Sequence, residues 1–232
     1  MAVAGLAMQT ISNNVLNDQI FSHLETAAQS RAHHVGRFLE ESKKFVEILA
    51  KDHHYSDLLL GIAEPSATYG EYNIEHYVDV LNHQIHGELY EIFIVDNGGE
   101  IIASTDGSSI DLNKSNDDYF IQGLKGVYIG DAYFFEPAGK NSIAISAPIK
   151  HPETGTVLGV IVVRIETTVL DEIVLDKTGL GETGEIYLVN EDGYMITPSR
   201  FEQDTFLKKK VDTENVEECF EDFEKYGVEV IW

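Results

Sequence analysis

Glu91-Ile-Phe-Ile-Val-Asp-Asn-Gly-Gly-Glu-Ile-Ile102 and Glu185-Ile-Tyr-Leu-Val-Asn-Glu-Asp-Gly-Tyr-Met-Ile196 align without a gap at an offset of 94 positions. Each stretch reads as a β-branched and aromatic strand, a turn holding Asp or Asn and Gly, and a second strand. That order is the signature of a β-hairpin. A match sustained over the whole stretch points to a duplicated unit and not to two unrelated hairpins.

Outward from the first hairpin, residues 105–116 form a polar loop and Tyr119–Lys125 a short helix. Three strand-like segments follow at Tyr128–Phe135, Ser142–Pro148 and Val157–Ile165, separated by turns at Pro137-Ala-Gly139 and Pro152-Glu-Thr-Gly155. Hairpin, helical crossover and three-stranded meander make a five-stranded antiparallel sheet with helices on one side, an α+β unit. A helix over Thr167–Thr178 then leads into the second hairpin. Beyond it stand only an acidic helix, Thr213–Tyr226, and the tail Val228–Trp232. The second unit is therefore read as lacking its closing meander, and the chain as a fragment cut at both ends.

Ahead of the first hairpin, Gln9 to Ile62 contains no proline. Leu16, Ile20, Leu24, Ala27, Val35, Phe38, Phe45 and Leu49 recur at helical spacing. A run of that length predicts a stalk or coiled coil, although Arg31 and Ser42 interrupt the stripe. Packing along the chain's own domain and dimerisation are both open readings. Gly61 and Pro65 end the helix, and Ile74–His86 reads as a second amphipathic helix. Three parts result: a stalk helix (1–65), an α+β sheet unit (66–166), and a linker helix with a truncated second unit (167–232).

The 232 residues carry 16 Lys and Arg against 40 Asp and Glu, a formal charge of −24. A polyphosphate backbone repels such a chain, so nucleic acid is excluded as a partner. No basic run exists to hold an anionic membrane surface. The single cysteine, Cys219, excludes an internal disulfide and a cysteine zinc cluster. The apolar stretch Met1–Met8 is too short to span a bilayer and lacks a basic flank.

Gly179-Leu-Gly181-Glu-Thr-Gly184 fits a dinucleotide fingerprint in letters only. A helix precedes it and a strand follows, the reverse of the order that aims a helix N-terminus at a pyrophosphate. A helix-to-strand connection is the better reading. His76, His83 and His86 share one helical face without a carboxylate at metal-site spacing, so no metal site and no cofactor is assigned. No nucleophile elbow is present and no catalytic residue is assigned. Asn113-Lys-Ser115 is a glycosylation sequon in a loop.

Polar and aromatic residues concentrate where the crossover helix meets the meander: Asp117, Tyr119, Phe120, Asp131, Tyr133, Phe135 and Arg164, with Phe93 and Ser146 on the neighbouring strands. Arg164 ends an otherwise apolar strand, and a buried guanidinium needs a partner. Asp117 or Asp131 is the expected one. The cluster is either an internal salt bridge or a site for a polar ligand.

The long helix, Asp117-Asp-Tyr-Phe-Ile-Gln-Gly-Leu-Lys-Gly126, Ile143-Ala-Ile-Ser-Ala-Pro-Ile149 and Leu175-Asp-Lys-Thr-Gly-Leu-Gly-Glu-Thr-Gly-Glu-Ile-Tyr-Leu-Val-Asn190 together resemble the double Cache, tandem PAS-like sensor domains of prokaryotic and archaeal histidine kinases and chemoreceptors. The resemblance implies an extracytoplasmic location at the cell membrane, anchored by transmembrane helices of a parent protein. It implies a membrane-distal first unit that holds a small molecule, a membrane-proximal second unit, and a homodimer through the N-terminal helix. Amino-acid-binding members carry an Arg-x-Trp-Tyr motif before the crossover helix, a later Tyr, and an Asp near the end of the last strand. Asp117 stands in the Arg place here, Tyr119 and Phe120 follow, Tyr133 matches the later Tyr, and Arg164 replaces the Asp. Both charges are inverted. The ligand classes left open are carboxylate, amine and amino-acid-like molecules. The expected function is signal sensing, not catalysis, with a dimerisation or interaction scaffold closed by an internal salt bridge as the alternative.

Overall fold

The computed structural model describes residues 2–61, 89–213 and 216. Two compact units are present. One runs from Arg37 to Val169, and the other joins Met1–Gly36 to the segment that begins at Leu170. The expected helix at 74–86, nearly all of the one at 213–226, and the tail lie outside the described residues.

Helix α1 (Ala2–Leu49) is followed by a break and α2 (His53–Leu59). The sequence predicts one helix to Ile62. The break arises at Asp52, whose extended backbone and carboxylate, accepting from His54 N at 2.9 Å, start a new helix. Asp satisfies a free N–H better as an N-cap than it supports a helix interior. Val35, Phe38, Val46 and Leu49 are buried, whereas Leu16, Ile20 and Phe21 are exposed. The apolar stripe is thus covered in its C-terminal half and open in its N-terminal half.

In the Arg37–Val169 unit, β1 (Leu89–Asp96), β2 (Ile101–Ser104), β3 (Tyr128–Ile129), β4 (Tyr133–Phe135), β5 (Lys140–Lys150) and β6 (Val157–Glu166) form one antiparallel sheet. The order is β2-β1-β6-β5-β3, with β4 also on β5. Helix α3 (Asp118–Gly123) is the crossover between β2 and β3. The single strand expected at 128–135 is two short ones. Asp131 Oδ1 takes the Ala132 N–H at 2.7 Å, and this local bond displaces a ladder bond between them. The sheet accordingly has six strands, not five. β1, β5 and β6 are covered on both faces, which is why they read as nearly continuous apolar runs.

The other unit contains the second hairpin, and the duplication is visible bond by bond. Asp96 Oδ1 accepts from Glu100 N at 2.9 Å, and Asn190 Oδ1 accepts from Tyr194 N at 2.8 Å. Gly99 N donates to Asp96 O, and Gly193 N to Asn190 O. Both glycines hold positive φ, 87° and 81°, which a Cβ would strain. Val95 pairs with Ile101, and Val189 with Met195. The following loops also return alike, as bridges Glu100–Asn113 and Tyr194–Lys210. The second copy has isolated bridges where strands are expected. Among the described residues it has no third strand against its first, and a lone hairpin is marginal.

Helix α4 (Thr168–Leu175) ends at a turn that contains Gly179–Gly184, a connection as expected. Arg31, read as a break in the stripe, is buried. Its Nη2 reaches Asp176 Oδ2 at 3.2 Å and the carbonyls of Asp176 and Thr178 at 3.0 and 2.7 Å. No helix among the described residues is long and apolar enough to cross a membrane.

Candidate ligand site

Strand alternation decides which side chains meet. Glu91 faces Arg164 across β1 and β6, Phe93 faces Val162, and Arg164 faces Ala144 across β6 and β5. With a period of two, Glu91, Phe93, Val162, Arg164, Ser142, Ala144 and Ser146 share one face. A bulge between Leu89 and Glu91 brings Tyr90 onto that face, where its hydroxyl meets Ser142 Oγ at 2.8 Å.

Arg164 is at the centre. One guanidinium nitrogen, Nη1, donates to Glu91 Oε2, and Nε donates to the Tyr133 hydroxyl at 2.6 Å. Its guanidinium carbon lies 3.9 Å from the Phe135 ring centre and 4.9 Å from that of Phe93. Glu91 and Arg164 are 1% and 2% exposed, so the pair is an internal salt bridge. Glu91 Oε1 also accepts from Ser104 Oγ at 2.9 Å. The partner of Arg164 is therefore Glu91, not Asp117 or Asp131. Direct cross-strand register puts the Glu91 carboxylate closest, and Asp131 is instead exposed with its carboxylate on Ala132 N.

Asp117 precedes α3 without capping it. Its Oδ2 accepts from the Tyr119 hydroxyl and lies 3.4 Å from Lys114 Nζ. Ser146 Oγ donates to Tyr119 O at 2.7 Å and ties α3 to β5. Phe120 is in the core with Phe93, Ala144 and Val162, and Tyr119 and Tyr133 pack on that cluster. Phe93 and Tyr119 meet edge to face at 5.8 Å. Burial above all pushes the Tyr119 and Tyr133 phenols well above the ordinary range, and the Asp117 charge adds to both. Burial raises Tyr90 and lowers Arg164 from their usual values.

Of the residues picked from sequence, Phe93, Tyr133, Phe135 and Arg164 make one contact group. Tyr119 joins it through Phe93, and Asp117 through Tyr119. Phe120 and Ser146 support it from below, and Asp131 stands apart at the surface. Sequence reasoning missed Glu91, Tyr90, Ser104 and the Lys140–Glu166 pair at 2.6 Å. A charge inside the apolar run of β1 was the available signal for Glu91. A separate cleft of about 420 Å³, lined in part by Lys51, His53, Lys150 and His151, contains none of the predicted residues.

A profile described as Cache domain matches residues 9–230. The chain belongs to the Cache domain family. It is a receptor sensing domain by that membership. No curated protein matches the sequence. Among solved structures, the sensor domain of the Vibrio cholerae histidine kinase DctB superposes with a TM-score of 0.60 at 17% identity, over 88% of this Cache chain and 74% of that one. The ligand-binding domain of the Pseudomonas aeruginosa PAO1 amino acid chemoreceptor PctC, in complex with GABA, gives 0.60 at 18% identity, over 81% and 78%. That of the Campylobacter jejuni chemoreceptor Tlp3, with 4-methylisoleucine, gives 0.57 at 16% identity, over 87% and 78%. At such identities the likeness is one of fold.

Proposed function

We propose that this Cache chain is the extracytoplasmic sensing part of a transmembrane receptor, of the histidine-kinase class, and that the Arg37–Val169 unit takes a small polar molecule. Within it, residues 1–65 serve as the stalk, 66–166 as the membrane-distal sensor, and 167–232 as the linker with part of a membrane-proximal unit. The parent protein's transmembrane helices hold it at the membrane, and catalysis belongs to the parent. The observation that carries the reading is the convergence of Arg164, Tyr133, Tyr119 and Asp117 over the Phe93 and Phe135 rings. A few convergent polar groups on an aromatic surface suit recognition of a small polar ligand. Carboxylates, amines and amino-acid-like molecules are the classes to test, and the PctC and Tlp3 ligands belong among them.

The exposed stripe Leu16, Ile20 and Phe21 supports a homodimer through α1. Ligand closure on the sensor would bias the packing of the paired helices, and so pass to the membrane. A thermal-shift screen of carboxylates, amines, amino acids and small sugars tests the reading, because a ligand of the folded state raises the melting temperature. A shift that disappears in Asp117→Ala or Arg164→Ala, with both variants folded, supports it. A flat panel contradicts it.

The buried Glu91–Arg164 pair favours a second reading, a dimer scaffold whose site is filled by its own salt bridge. That reading requires the flat panel, together with loss of stability in Arg164→Ala without any ligand.

A further inference from the structure

The cleft of about 420 Å³ that stands apart from the Arg164 group is walled by the end of α1, the start of α2, the loop after α3 and the turn between β5 and β6. All four walls belong to the Arg37–Val169 unit. Ala147 lines the cleft, and it alternates along β5 with Ser146, whose hydroxyl ties the sheet to α3. The cleft therefore reaches the face of β5 turned away from α3.

Its charge runs against that of the chain. Asp and Glu outnumber Lys and Arg by 40 to 16 in the sequence, yet the cleft is lined by Lys51, Lys150, His53 and His151 against the two carboxylates of Glu47 and Asp52. Both carboxylates are already engaged. Glu47 Oε1 accepts from Lys51 Nζ at 2.9 Å, and Asp52 Oδ1 accepts from His54 N at 2.9 Å. Among the described residues, the Lys150 ammonium and the His53 ring have no hydrogen-bond or ion-pair partner. His151 is fixed by its turn: its N–H donates to Thr156 O at 2.8 Å, and its carbonyl accepts from Gly155 N at 2.9 Å. Its ring Nδ1 accepts from Glu153 N at 3.1 Å and Thr154 N at 3.4 Å. An accepting Nδ1 puts the ring proton on Nε2, so the ring keeps a donor there. The Glu47–Lys51 pair is exposed and contributes little, which leaves Lys51 free to turn to a guest.

What the cleft offers a guest is thus a set of donors and cations. The ligand chemistry that matches is acceptor-only and negative, the oxygens of carboxylate or phosphate groups. The volume is in the range of pockets for small organic molecules and exceeds what a single oxyanion needs.

We propose that this cleft binds a small multivalent anion bearing carboxylate or phosphate groups, held between Lys51 at the end of α1 and Lys150 at the end of β5, with His151 Nε2 donating to it. The site is separate from the one read above as the sensor and does not depend on that reading. An occupant would tie α1 to the β5–β6 turn.

Isothermal titration calorimetry of the whole chain with citrate and with pyrophosphate, at an ionic strength held constant with sodium chloride, tests this. Glycerol is the neutral control. Saturable heat is expected from at least one of the two anions. Lys150→Ala should weaken binding about tenfold, the loss of one charge-assisted contact, and Lys150→Glu should abolish it. Lys208→Ala, which removes an exposed cation paired with Asp204 outside the Arg37–Val169 unit, should leave binding unchanged. The ring proton signals of His53 and His151 should move during the titration. Thermal unfolding checks that each variant is folded, as expected for exposed lysines.

Heat from citrate alone assigns carboxylates, heat from pyrophosphate alone assigns phosphates, and either supports the site. No heat from both anions overturns it. An equal loss in Lys208→Ala and Lys150→Ala would show an effect of net charge and overturn it too. Binding that survives Lys150→Glu, or that leaves the His53 and His151 signals still, places the anion elsewhere. That result removes this site and leaves the sensing reading to its own thermal panel.

Discussion

Glu91 and Arg164 stand directly opposite each other on β1 and β6, and the Glu91 carboxylate accepts from the Arg164 guanidinium where both are almost wholly buried. The Tyr133 hydroxyl and the Phe135 and Phe93 rings complete the surroundings of the arginine. The Arg164 side of this contact group is thereby charge-balanced, while Asp117, held by the Tyr119 hydroxyl and Lys114, lies at its more exposed side.

Removing one member of this pair leaves the other buried without a counter-charge. Arg164→Ala is expected to cost about 3–5 kcal/mol of folding free energy, and Glu91→Ala a similar amount. The double replacement Glu91→Leu with Arg164→Met should recover much of that loss, since it removes both charges and keeps the volume. Urea denaturation of the three variants measures this. A double variant no more stable than either single one would show that hydrogen bonds to Tyr133 and Ser104 outweigh the charge pairing.

Tyr119 and Tyr133 have phenols raised by burial. Their unfolded value is about 10, so the folded chain holds protons that the unfolded chain releases above that pH. The stability they contribute is complete below about pH 10 and falls as pH rises toward the folded values. Ultraviolet titration should find these phenols protonated after the exposed tyrosines have ionised, and Tyr119→Phe should flatten the alkaline decline. A single tyrosine transition near the ordinary value would contradict the burial.

The two hairpin turns rest on equivalent side chains. Asp96→Ala removes acceptors for both Gly98 N and Glu100 N, and Asn190→Ala removes one for Tyr194 N. Losses of about 2 and 1 kcal/mol respectively are expected, whereas Asp96→Asn and Asn190→Asp keep an acceptor and should be mild. Equal losses in the alanine and the conservative variants would show that the turns do not depend on these bonds.

Phe21 is 71% exposed beside Leu16 and Ile20 on α1. Ile20→Glu and Phe21→Glu should convert a homodimer to a monomer without lowering the stability of the Arg37–Val169 unit. Sedimentation equilibrium and thermal unfolding together decide this. A monomeric parent chain, or an unchanged dimer in both variants, would remove α1 as the dimer contact.

Much of this was legible in the sequence because its causes are local or periodic. The turn chemistry of Asp96–Gly99 and Asn190–Gly193 is written in consecutive residues, so the duplication shows in letters and reappears in hydrogen bonds. β5 and β6 show as apolar runs because both faces are covered. The break at Asp52 is not legible in the same way, because no proline interrupts Gln9–Ile62 and only the capping bond of Asp52 marks it. Arg164 was recognised as a buried charge, but its partner was not. Glu91 and Arg164 are 73 residues apart, and only strand register brings them together. Neither residue's neighbours in sequence carry that information. Arg31 posed the same difficulty, since its acceptors at Asp176 and Thr178 come from the segment after α4.

The most direct test of ligand sensing is amide hydrogen exchange of the whole chain, with and without the compound from the amine, carboxylate and amino-acid panel that raises its melting temperature most. The account predicts slowed exchange in residues 117–124, 128–135 and 160–166, where Asp117, Tyr119, Tyr133 and Arg164 are held. Protection absent from those segments, or confined to α1, would contradict it.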